Sequence, residues 1–206
     1  MNEHDVPSPI DLRSPHDARE WERTAQQRPG REEIFWAIGR ELSRLGKNDL
    51  TVLELGSGPG FLAAYLIDKL PAVQLTLLDF STAMHDLARA RLGPRAARAS
   101  FVERNFKEPG WSQGLGRFDA VITNQAVHEL RHKRYAASLH AAVKDVLRPG
   151  GSYLVSDHFF GDGGLSNHQL YMTVAEQRDA LLTVGFMEVK KVAVAGTLVM
   201  HCATAG

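Results

Sequence analysis

The sequence has few features that would support covalent cross-linking, secretion or membrane insertion. Cys202 is the only cysteine in 206 residues, which excludes an intramolecular disulfide and a cysteine-based metal cluster and favours a reducing compartment. Residues 1–15 are polar, contain three prolines and lack an apolar signal core. No apolar run approaches the length of a membrane span. We therefore expect a cytoplasmic protein with no membrane partner.

An excess of charge of one sign is also absent. Lys and Arg together number 24, as do Asp and Glu, so the net charge is zero when the histidines are neutral. Nothing in this balance would draw the protein towards nucleic acid, and we expect no nucleic-acid partner. The length and the 44% hydrophobic content fit one globular domain with a sizeable core.

Glycine, in contrast, is concentrated in one turn between the patterns of a strand and a helix. The apolar run 50–55 ends in a turn with glycine at three alternate positions, and an amphipathic segment begins at Phe61. Glycine lets the backbone approach a ligand closely, and the start of a helix offers free N–H groups and a positive dipole end. The order predicts a nucleotide-type cofactor site. Its spacing, Glu54-x-Gly56-x-Gly58-x-Gly60, differs from the G-x-G-x-x-G of dinucleotide-binding folds.

A carboxylate follows at the distance where α/β nucleotide folds place one. Asp79 ends the buried-strand pattern 73–79 and lies 19 residues beyond Gly60. A carboxylate at the tip of the second strand of such a fold accepts hydrogen bonds from the ribose hydroxyls. We therefore expect Asp79 to bind a ribose.

The order of the predicted elements defines a fold class. Strands alternate with helices from Leu50 to Val184, which predicts an α/β fold with a parallel sheet covered on both faces. Two further strand patterns, 187–194 and 197–204, are separated by two residues and predict an antiparallel hairpin. We expect a flexible arm over 1–15, N-terminal helices over 16–47 and one cofactor-binding domain over 48–206.

Five sequence patterns occur in a fixed order between Leu50 and Ala205. They are the glycine turn, D-x-S-x-x-M at 79–84, F-D-x-V at 118–121, L-R-P-G-G at 147–151 and V-G-F at 184–186. Together they resemble the class I S-adenosylmethionine (SAM) dependent methyltransferases. The resemblance implies a Rossmann-like, doubly wound, mostly parallel seven-stranded sheet of order 3-2-1-4-5-7-6 with strand 7 antiparallel. It also implies SAM as the cofactor, and in-line transfer of its methyl group to an oxygen or nitrogen of a small-molecule acceptor.

The resemblance also assigns a cofactor site. Its residues would be Glu54, Gly56, Ser57, Gly58, Gly60, Asp79, Phe80, Met84, Asn105, Phe106 and Asn124. Phe80 and Met84 would flank the adenine, and Asn105 stands where the family usually has an aspartate that accepts from the adenine amino group. An asparagine carbonyl can accept that hydrogen bond with less charge.

The N-terminal segment allows two interpretations. Helices are predicted over 16–27 and 32–45, on either side of Arg28-Pro29-Gly30. Trp21 and Trp36 could pack in the core while Arg28 and Arg31 are solvated. By resemblance, the two helices could instead form a lid over the active site.

The segment 124–130 lies where the sulfonium and the acceptor would meet. The family's Asn-Pro-Pro-Tyr motif is absent there, which argues against adenine or glutamine as acceptors. A base is needed only if the acceptor arrives protonated, and His128 and His158, both just past strand ends, are the candidates. Each could equally be a loop histidine held by a backbone carbonyl. Glu129 could orient His128 but, as its sequence neighbour, is expected to face elsewhere.

Other functions remain open on the sequence. His128, Glu129 and His132 spell the H-E-x-x-H of zinc metallohydrolases, which needs both histidines on one helix. That motif directly follows a buried strand and leaves the upstream patterns unexplained, so we expect no metal. A nicotinamide oxidoreductase would use Gly58 and Asp79 but not the glycine spacing or the hairpin. A non-catalytic SAM-binding domain fits the same patterns.

Overall fold

The computed structural model describes residues 5–25 and 27–206, which form a seven-stranded sheet flanked by helices. The strands are β1 (Thr51–Leu55), β2 (Gln74–Asp79), β3 (Ala99–Glu103), β4 (Phe118–Asn124), β5 (Leu147–His158), β6 (Glu188–Ala195) and β7 (Leu198–Thr204). The helices are α1 (Pro15–Ala25), α2 (Arg31–Ser43), α3 (Phe61–Lys69), α4 (Thr82–Leu92), α5 (Ala136–Asp145) and α6 (Val174–Thr183). Within the described residues, no helix combines the length and apolar character needed to cross a membrane.

The strand order is β3-β2-β1-β4-β5-β7-β6. Strands β1 to β5 pair in parallel, whereas β7 runs antiparallel to both of its neighbours, β5 and β6. Both the predicted order and the predicted direction of strand 7 are confirmed. The two turn residues between β6 and β7 are Gly196 and Thr197, one position beyond the pair that the sequence indicated.

The sheet is covered on both faces because its strands alternate apolar side chains between two cores. In β1, Val52 packs with α2 and α3, whereas Leu53 packs on the opposite face with α5 and α6. The same alternation occurs in β4, where Ile122 and Val121 face opposite sides. Strands that are apolar on both faces are typical of a sheet buried between helical layers. The carboxyl ends of the parallel strands therefore meet at one edge, which is where open α/β sheets bind ligands.

Two of the sequence patterns meet at the opposite edge of the sheet, at Asp119. Its carboxylate accepts from the backbone N–H of Thr51 at 2.9 Å and from its hydroxyl at 2.8 Å. It also pairs with Lys47 at 2.5 Å and with Arg148 of the L-R-P-G-G pattern at 2.9 Å. Burial would raise the pKa of Asp119, but these partners hold it well below its usual range. Asp119 therefore links β4 to β1 and β5 and has a structural role.

The N-terminal helices begin and end close to the predicted positions, but the predicted roles of two residues were wrong. Helix α2 buries Ile34 and Ile38 against the sheet. Trp36, one of the two expected packing tryptophans, projects from the other side of α2 and is 59% exposed. Arg31 is half-buried and its guanidinium lies over the Phe61 ring at 5.1 Å, so it is not a solvated arginine.

Residues 5–14 of the predicted flexible arm run across the ligand-binding edge of the sheet. The guanidinium of Arg131 donates to the carbonyls of Val6 at 2.9 Å and Pro7 at 2.7 Å, and the Val6 N–H donates to the Arg131 carbonyl at 2.9 Å. The Ser81 hydroxyl donates to the Leu12 carbonyl. The prediction of flexibility did not anticipate these contacts, because they depend on residues more than sixty positions away. Residues 1–4 of the arm and Gln26 lie outside the described residues.

The sequence also predicts a helix from about His132 to Leu147, but the chain between β4 and α5 is irregular. Short 3₁₀ turns span Val127–Leu130 and Lys133–Tyr135, and Arg131 between them adopts a left-handed conformation with φ 66°. The α-helix begins only at Ala136, and β5 already begins at Leu147. The predicted helix was therefore too long at its start, because the left-handed residue interrupts it.

Candidate active site

A cleft lies at the carboxyl ends of β1, β2 and β4, beneath the N-terminal segment. Of the predicted cofactor residues, the cleft is lined by Glu54, Gly56, Ser57, Asp79, Phe80, Asn105, Phe106 and Asn124. The N-terminal segment contributes Leu12, Trp21, Arg28 and Arg31 as a cover. The remaining polar residues that line the cleft are Lys107, Gln125, His128 and Glu129. The other predicted site residues, Gly58, Gly60, Met84 and His158, do not line the cleft, and the Met84 side chain is buried on α4.

The glycine turn brings three elements together beside this cleft. Gly56, Gly58 and Gly60 have φ values of 66°, 54° and 75°, a region that L side chains rarely adopt. A Cβ on Gly56 would lie 2.6 Å from the Ala126 Cβ, and one on Gly60 would lie 2.9 Å from the Ala88 Cβ. Glycine therefore allows β1 to approach the segment that follows β4 and allows α3 to begin against α4.

Asp79 lies at the tip of β2, as predicted, and is fixed by the turn itself. Its carboxylate accepts from the backbone N–H of Gly58 at 2.8 Å and of Ser81 at 3.0 Å. Burial raises the pKa of Asp79, and these two hydrogen bonds oppose that effect. The carboxylate is thus oriented towards the cleft by backbone groups on both sides.

Glu54 is a buried acid at the end of β1, with a cation nearby. Burial raises its pKa from 4.5 to about 8, and the positive charge of Arg31 opposes that rise. Burial, and after it the nearby charge of Arg28, lowers the pKa of Arg31 to about 10. Oε2 of Glu54 has no hydrogen-bond partner among the described residues. Glu54 and Arg31 therefore present a titratable acid and a cation to the same cleft.

Further polar atoms along this edge are buried without partners within the part of the chain that the structure describes. They are Oγ of Ser57, Oδ1 of Asn124 and both amide atoms of Gln125. Buried polar groups are normally hydrogen-bonded, so a row of unpaired ones marks a place where a ligand would supply the partners. Gln125 is also left-handed, with φ 57°. Backbone strain in a non-glycine residue is concentrated at functional sites.

His128 is held by two acids at the acceptor side of the cleft. Its Nδ1 donates to Oδ1 of Asp157 at 2.6 Å, and its backbone N–H donates to Oδ2 of Asp157 at 2.7 Å. Its Nε2 lies 3.4 Å from Oε1 of Glu129, so the expectation that Glu129 faces elsewhere was wrong. Burial would lower the pKa of His128, but Asp157 and then Glu129 outweigh it and raise the pKa to about 10. At neutral pH, His128 therefore carries a positive charge.

His158 lies beside His128 but in the opposite protonation state. Its Nδ1 shares a hydrogen bond of 2.7 Å with the Thr197 hydroxyl. Burial lowers the pKa of His158, and the charges of His128 and Arg28 lower it further against the opposing effect of Asp157. The rings of His128, His158 and Tyr171 form a triangle, with centroids 5.6–5.8 Å apart. The structure thus brings the two predicted candidates together and adds an aromatic neighbour.

Sequence reasoning missed three residues of this site. Asp157 could have been noticed, because an acid at the end of β5 precedes His158 directly. Gln125 and Tyr171 gave no such signal, since one depends on a local backbone conformation and the other on how a long loop folds back.

The H-E-x-x-H motif does not form a helical metal site. His128 lies in a 3₁₀ turn, and the left-handed Arg131 reverses the chain before His132. The Nδ1 of His132 accepts from the backbone N–H of Arg134 at 3.1 Å, so this ring caps the following turn. Over residues 5–25 and 27–206, no three His, Cys, Asp or Glu side chains are grouped to hold a metal. The motif therefore lacks the helix that would place both histidines on one face.

The fold and the site together define a class. A sheet of order β3-β2-β1-β4-β5-β7-β6 with β7 antiparallel, a glycine turn after β1 and an acid at the tip of β2 are the features of a class I SAM-dependent methyltransferase. Residues 52–151 match the family model described as a methyltransferase domain. Over these 100 of the 206 residues, the chain is similar to that family.

Curated relatives cover part of the chain and extend beyond it. A ribosomal RNA small subunit methyltransferase C from Cronobacter sakazakii is 30% identical over 127 residues, which is 58% of this chain and 36% of the relative. A malonyl-[acyl-carrier protein] O-methyltransferase from a Paenibacillus species is 30% identical over 149 residues, or 72% of this chain and 52% of the relative. The chain therefore spans about a third to a half of the length of these relatives.

Solved structures support the fold. Human N-acetylserotonin methyltransferase in complex with SAM superimposes with a TM-score of 0.68 and 17% sequence identity, covering 95% of this chain and 57% of that one. At this identity the likeness shows the shared fold alone.

Proposed function

We propose that this protein is a SAM-dependent methyltransferase that acts on a small-molecule acceptor through an oxygen or nitrogen nucleophile. One observation carries the proposal. The sheet edge beside the glycine turn and Asp79 is lined by buried polar atoms that have no partner among the described residues. They belong to Glu54, Ser57, Asn124 and Gln125. These groups match a ligand that has an ammonium, a carboxylate and ribose hydroxyls.

The charged residues of the cleft suit different parts of the cofactor. Arg31 suits the carboxylate of the methionine portion, because it is a cation in the cleft. Glu54 suits the ammonium of that portion, because a ligand cation favours the carboxylate form of a buried acid. Asp79 would accept from the ribose hydroxyls, and Phe80, Asn105 and Phe106 line the part that would take the adenine. When bound, SAM supplies a methyl group already activated by a positively charged sulfur. The protein's own task is then to orient the acceptor and exclude water. Orientation of this kind can lower the activation free energy by roughly 7–11 kcal/mol.

The two histidines suit different tasks. His128 is already protonated at neutral pH by its pairing with Asp157, so it donates a hydrogen bond to the acceptor rather than taking its proton. His158 is neutral at the same pH, and its Nε2 has no hydrogen-bond partner among the described residues. In the tautomer whose Nδ1 donates to Thr197, Nε2 carries the lone pair that accepts the acceptor's proton. Two titratable groups driven apart by their surroundings are a common basis for an acid and base pair.

The acceptor class rests on the shape and charge of the site. The two relatives are named for a ribosomal RNA and for a malonyl group on a carrier protein, so their substrates differ widely and neither transfers to this chain. The cleft is covered by the N-terminal segment and the chain has no net charge, which favours a small molecule over a nucleic acid. The half-buried thiol of Cys202 suits a cytoplasmic location.

Calorimetric titration with SAM, S-adenosylhomocysteine and NAD tests the proposal. We expect saturable binding of the first two and none of NAD. Asp79→Asn should weaken binding by about 1.5–3 kcal/mol for the lost charge-assisted bonds to the ribose, whereas the exposed Asp86→Asn serves as the matched control on α4. Failure of both SAM and S-adenosylhomocysteine to bind would refute the proposed function. A non-catalytic domain would bind SAM but never consume it in an acceptor screen.

A further inference from the structure

Thr197 contacts the ring of His158 from the turn between β6 and β7. Its hydroxyl oxygen lies 2.7 Å from Nδ1 of His158. The backbone of Thr197 binds the chain just after β5, since the N–H of Phe159 donates to the Thr197 carbonyl at 3.0 Å. A side-chain contact and a main-chain contact therefore fix Thr197 relative to the His158 ring.

The turn that carries Thr197 is also held from its other side. It follows Ala195, the last residue of β6, whose carbonyl oxygen lies so close to Gly30 that a Cβ on Gly30 would collide with it. The pair of His158 with Leu198 continues the ladder of β5 and β7 up to the turn. Close packing on both sides leaves little room for the turn to move, so the hydroxyl has a defined position beside Nδ1.

The two histidines of the site differ in the charge of the group at Nδ1. Nδ1 of His128 donates to the carboxylate of Asp157 at 2.6 Å, whereas Nδ1 of His158 meets a neutral hydroxyl. Both oxygens of Asp157 already accept from backbone N–H groups, Oδ1 from His158 and Oδ2 from His128, each at 2.7 Å. A carboxylate favours the protonated ring, whereas a neutral partner leaves the ring able to take a proton.

The hydroxyl matters because a neutral imidazole has one N–H and one lone pair. The hydrogen bond made by one ring nitrogen determines which nitrogen carries the proton. A distance of 2.7 Å fits a hydroxyl that accepts from Nδ1–H of His158 and equally one that donates to Nδ1. After Nε2 has taken the acceptor's proton, however, both nitrogens are donors and the hydroxyl can only accept. A hydroxyl that accepts before this transfer as well is already oriented for the charge that develops.

We propose that Thr197 is a positioning residue whose hydroxyl oxygen accepts from Nδ1–H of His158 and so keeps the lone pair of the neutral ring on Nε2. This inference rests on the proposed function, in which Nε2 of His158 takes the acceptor's proton. Without the hydroxyl, the ring can carry its proton on Nε2 instead, and that nitrogen then has no lone pair for the acceptor's proton. Thr197 therefore acts through His158, by selecting its reactive form.

Nitrogen-15 NMR of the histidine rings tests this assignment, because a ring nitrogen that carries a proton resonates far from one that carries a lone pair. The spectra are recorded at neutral pH, and the signals of His158 are identified by their loss in His158→Gln. We expect Nδ1–H to be the major form in the wild type and in Thr197→Ser, which keeps the hydroxyl. It should be the minor form in Thr197→Val, which has the shape of threonine but no oxygen. Thr204→Val, at the other end of β7, is the matched control and should give the wild-type tautomer.

Kinetics with an acceptor from the screen test whether the tautomer matters for the reaction. Thr197→Val should lower kcat about tenfold to hundredfold, which is part of what a positioned base contributes. Its KM for the acceptor and its affinity for S-adenosylhomocysteine should change less than about twofold, because the hydroxyl acts on the proton transfer and not on binding. Thr197→Ser should recover most of kcat.

The possible failures are distinguishable. If the wild type does not bind S-adenosylhomocysteine, the proposed function fails and this inference with it. A wild-type His158 that carries its proton on Nε2 overturns this inference alone, as does a Thr197→Val ring that keeps its proton on Nδ1. If the tautomer changes in Thr197→Val while kcat stays at the wild-type level, Thr197 does not act through His158 in the reaction and the inference is wrong.

Discussion

Individual side chains of the cleft owe their chemistry to burial and to a few neighbours. Glu54 and His128 in the cleft, and His158 beside them, are ordinary residue types whose pKa values are shifted in different directions. In each case burial acts against the charged form. Whether the effect of burial on the pKa prevails depends on the charge next to the group. Asp157 outweighs burial at His128, whereas no neighbour of similar strength outweighs burial at His158.

Glu54 should release a proton when the cofactor binds. With a pKa of about 8 it is mostly protonated at pH 7, and a ligand ammonium favours its carboxylate form. We expect binding of S-adenosylhomocysteine to release up to about one proton at pH 7, and affinity to rise as the pH approaches 8. Calorimetry in buffers of different ionisation enthalpy measures this release. Glu54→Gln should abolish it and the exposed Glu33→Gln should not; equal release from all three proteins would contradict the assignment.

The pair of His128 and Asp157 should make stability depend on pH. The pKa of His128 is raised from 6.5 in the unfolded chain to about 10 in the folded protein. Its contribution is therefore complete below pH 6.5 and is lost as the pH rises through 10. His128→Ala should cost about 3 kcal/mol in the free energy of unfolding at pH 6, because it leaves Asp157 buried, and much less near pH 10.

Denaturant unfolding at both pH values measures that difference. The exposed His168→Ala serves as the control and should have little effect at either pH. A cost of His128→Ala that is the same at pH 6 and pH 10 would show that the histidine is not charged in the folded protein.

At the scale of elements, the N-terminal segment up to Arg31 covers the cleft. Arg131 holds residues 6 and 7 of this segment, and the ion pair of Glu22 with Arg91 at 2.5 Å holds α1. These are a small number of contacts compared with the packing of α2 on the sheet. Segments held by few buried apolar contacts open at low free energy. We therefore propose that residues 5–14 and α1 (Pro15–Ala25) open to admit the cofactor and close over it.

Arg131→Gln should loosen this cover. It removes the hydrogen bonds to the Val6 and Pro7 carbonyls, and it should raise the rate of amide hydrogen exchange in residues 5–14 while α2 and the strands keep their protection. Saturation with S-adenosylhomocysteine should restore part of that protection. The exposed Arg178→Gln on α6 is the control. Unchanged exchange in residues 5–14 would show that Arg131 does not hold the segment.

The sequence predicted regular elements well and irregular ones poorly. Asp79 and the glycine turn could be located because chain spacing and backbone freedom determine them locally. The segment around Arg131 could not, because its left-handed conformation depends on contacts with residues 5–7, more than 120 positions away. Trp36 was misassigned for a different reason: a large aromatic residue was expected in the core, although it lies two positions from both Ile34 and Ile38 on the other side of α2.

On the scale of the whole molecule, the cleft joins parts of the chain that are far apart in sequence. The cover comes from residues before 32, the cofactor side from 54–80 and the acceptor side from 124–171. The two cores share one sheet, so neither can be lost without exposing the strands of the other. We expect one cooperative unfolding transition.

Ligand binding should therefore raise the temperature of that single transition. S-adenosylhomocysteine at a hundred times its dissociation constant should contribute about 2.7 kcal/mol, which corresponds to roughly 5–10 °C for a domain of this size. Differential scanning calorimetry measures the shift. Two separate transitions, with only one responding to the ligand, would show that the N-terminal segment and the sheet unfold independently.

The position of β7 has a consequence for how the protein is made in the cell. This strand (Leu198–Thr204) is the last of the sheet to be translated, yet it lies between β5 and β6 and bonds to both. Until it emerges from the ribosome, the nascent chain exposes an unpaired edge along β5 beside a β6 that has nothing to pair with. Exposed strand edges are templates for aggregation. The sheet therefore closes only after β7 has been translated, and until then the growing chain carries an exposed strand edge that chaperones would have to protect.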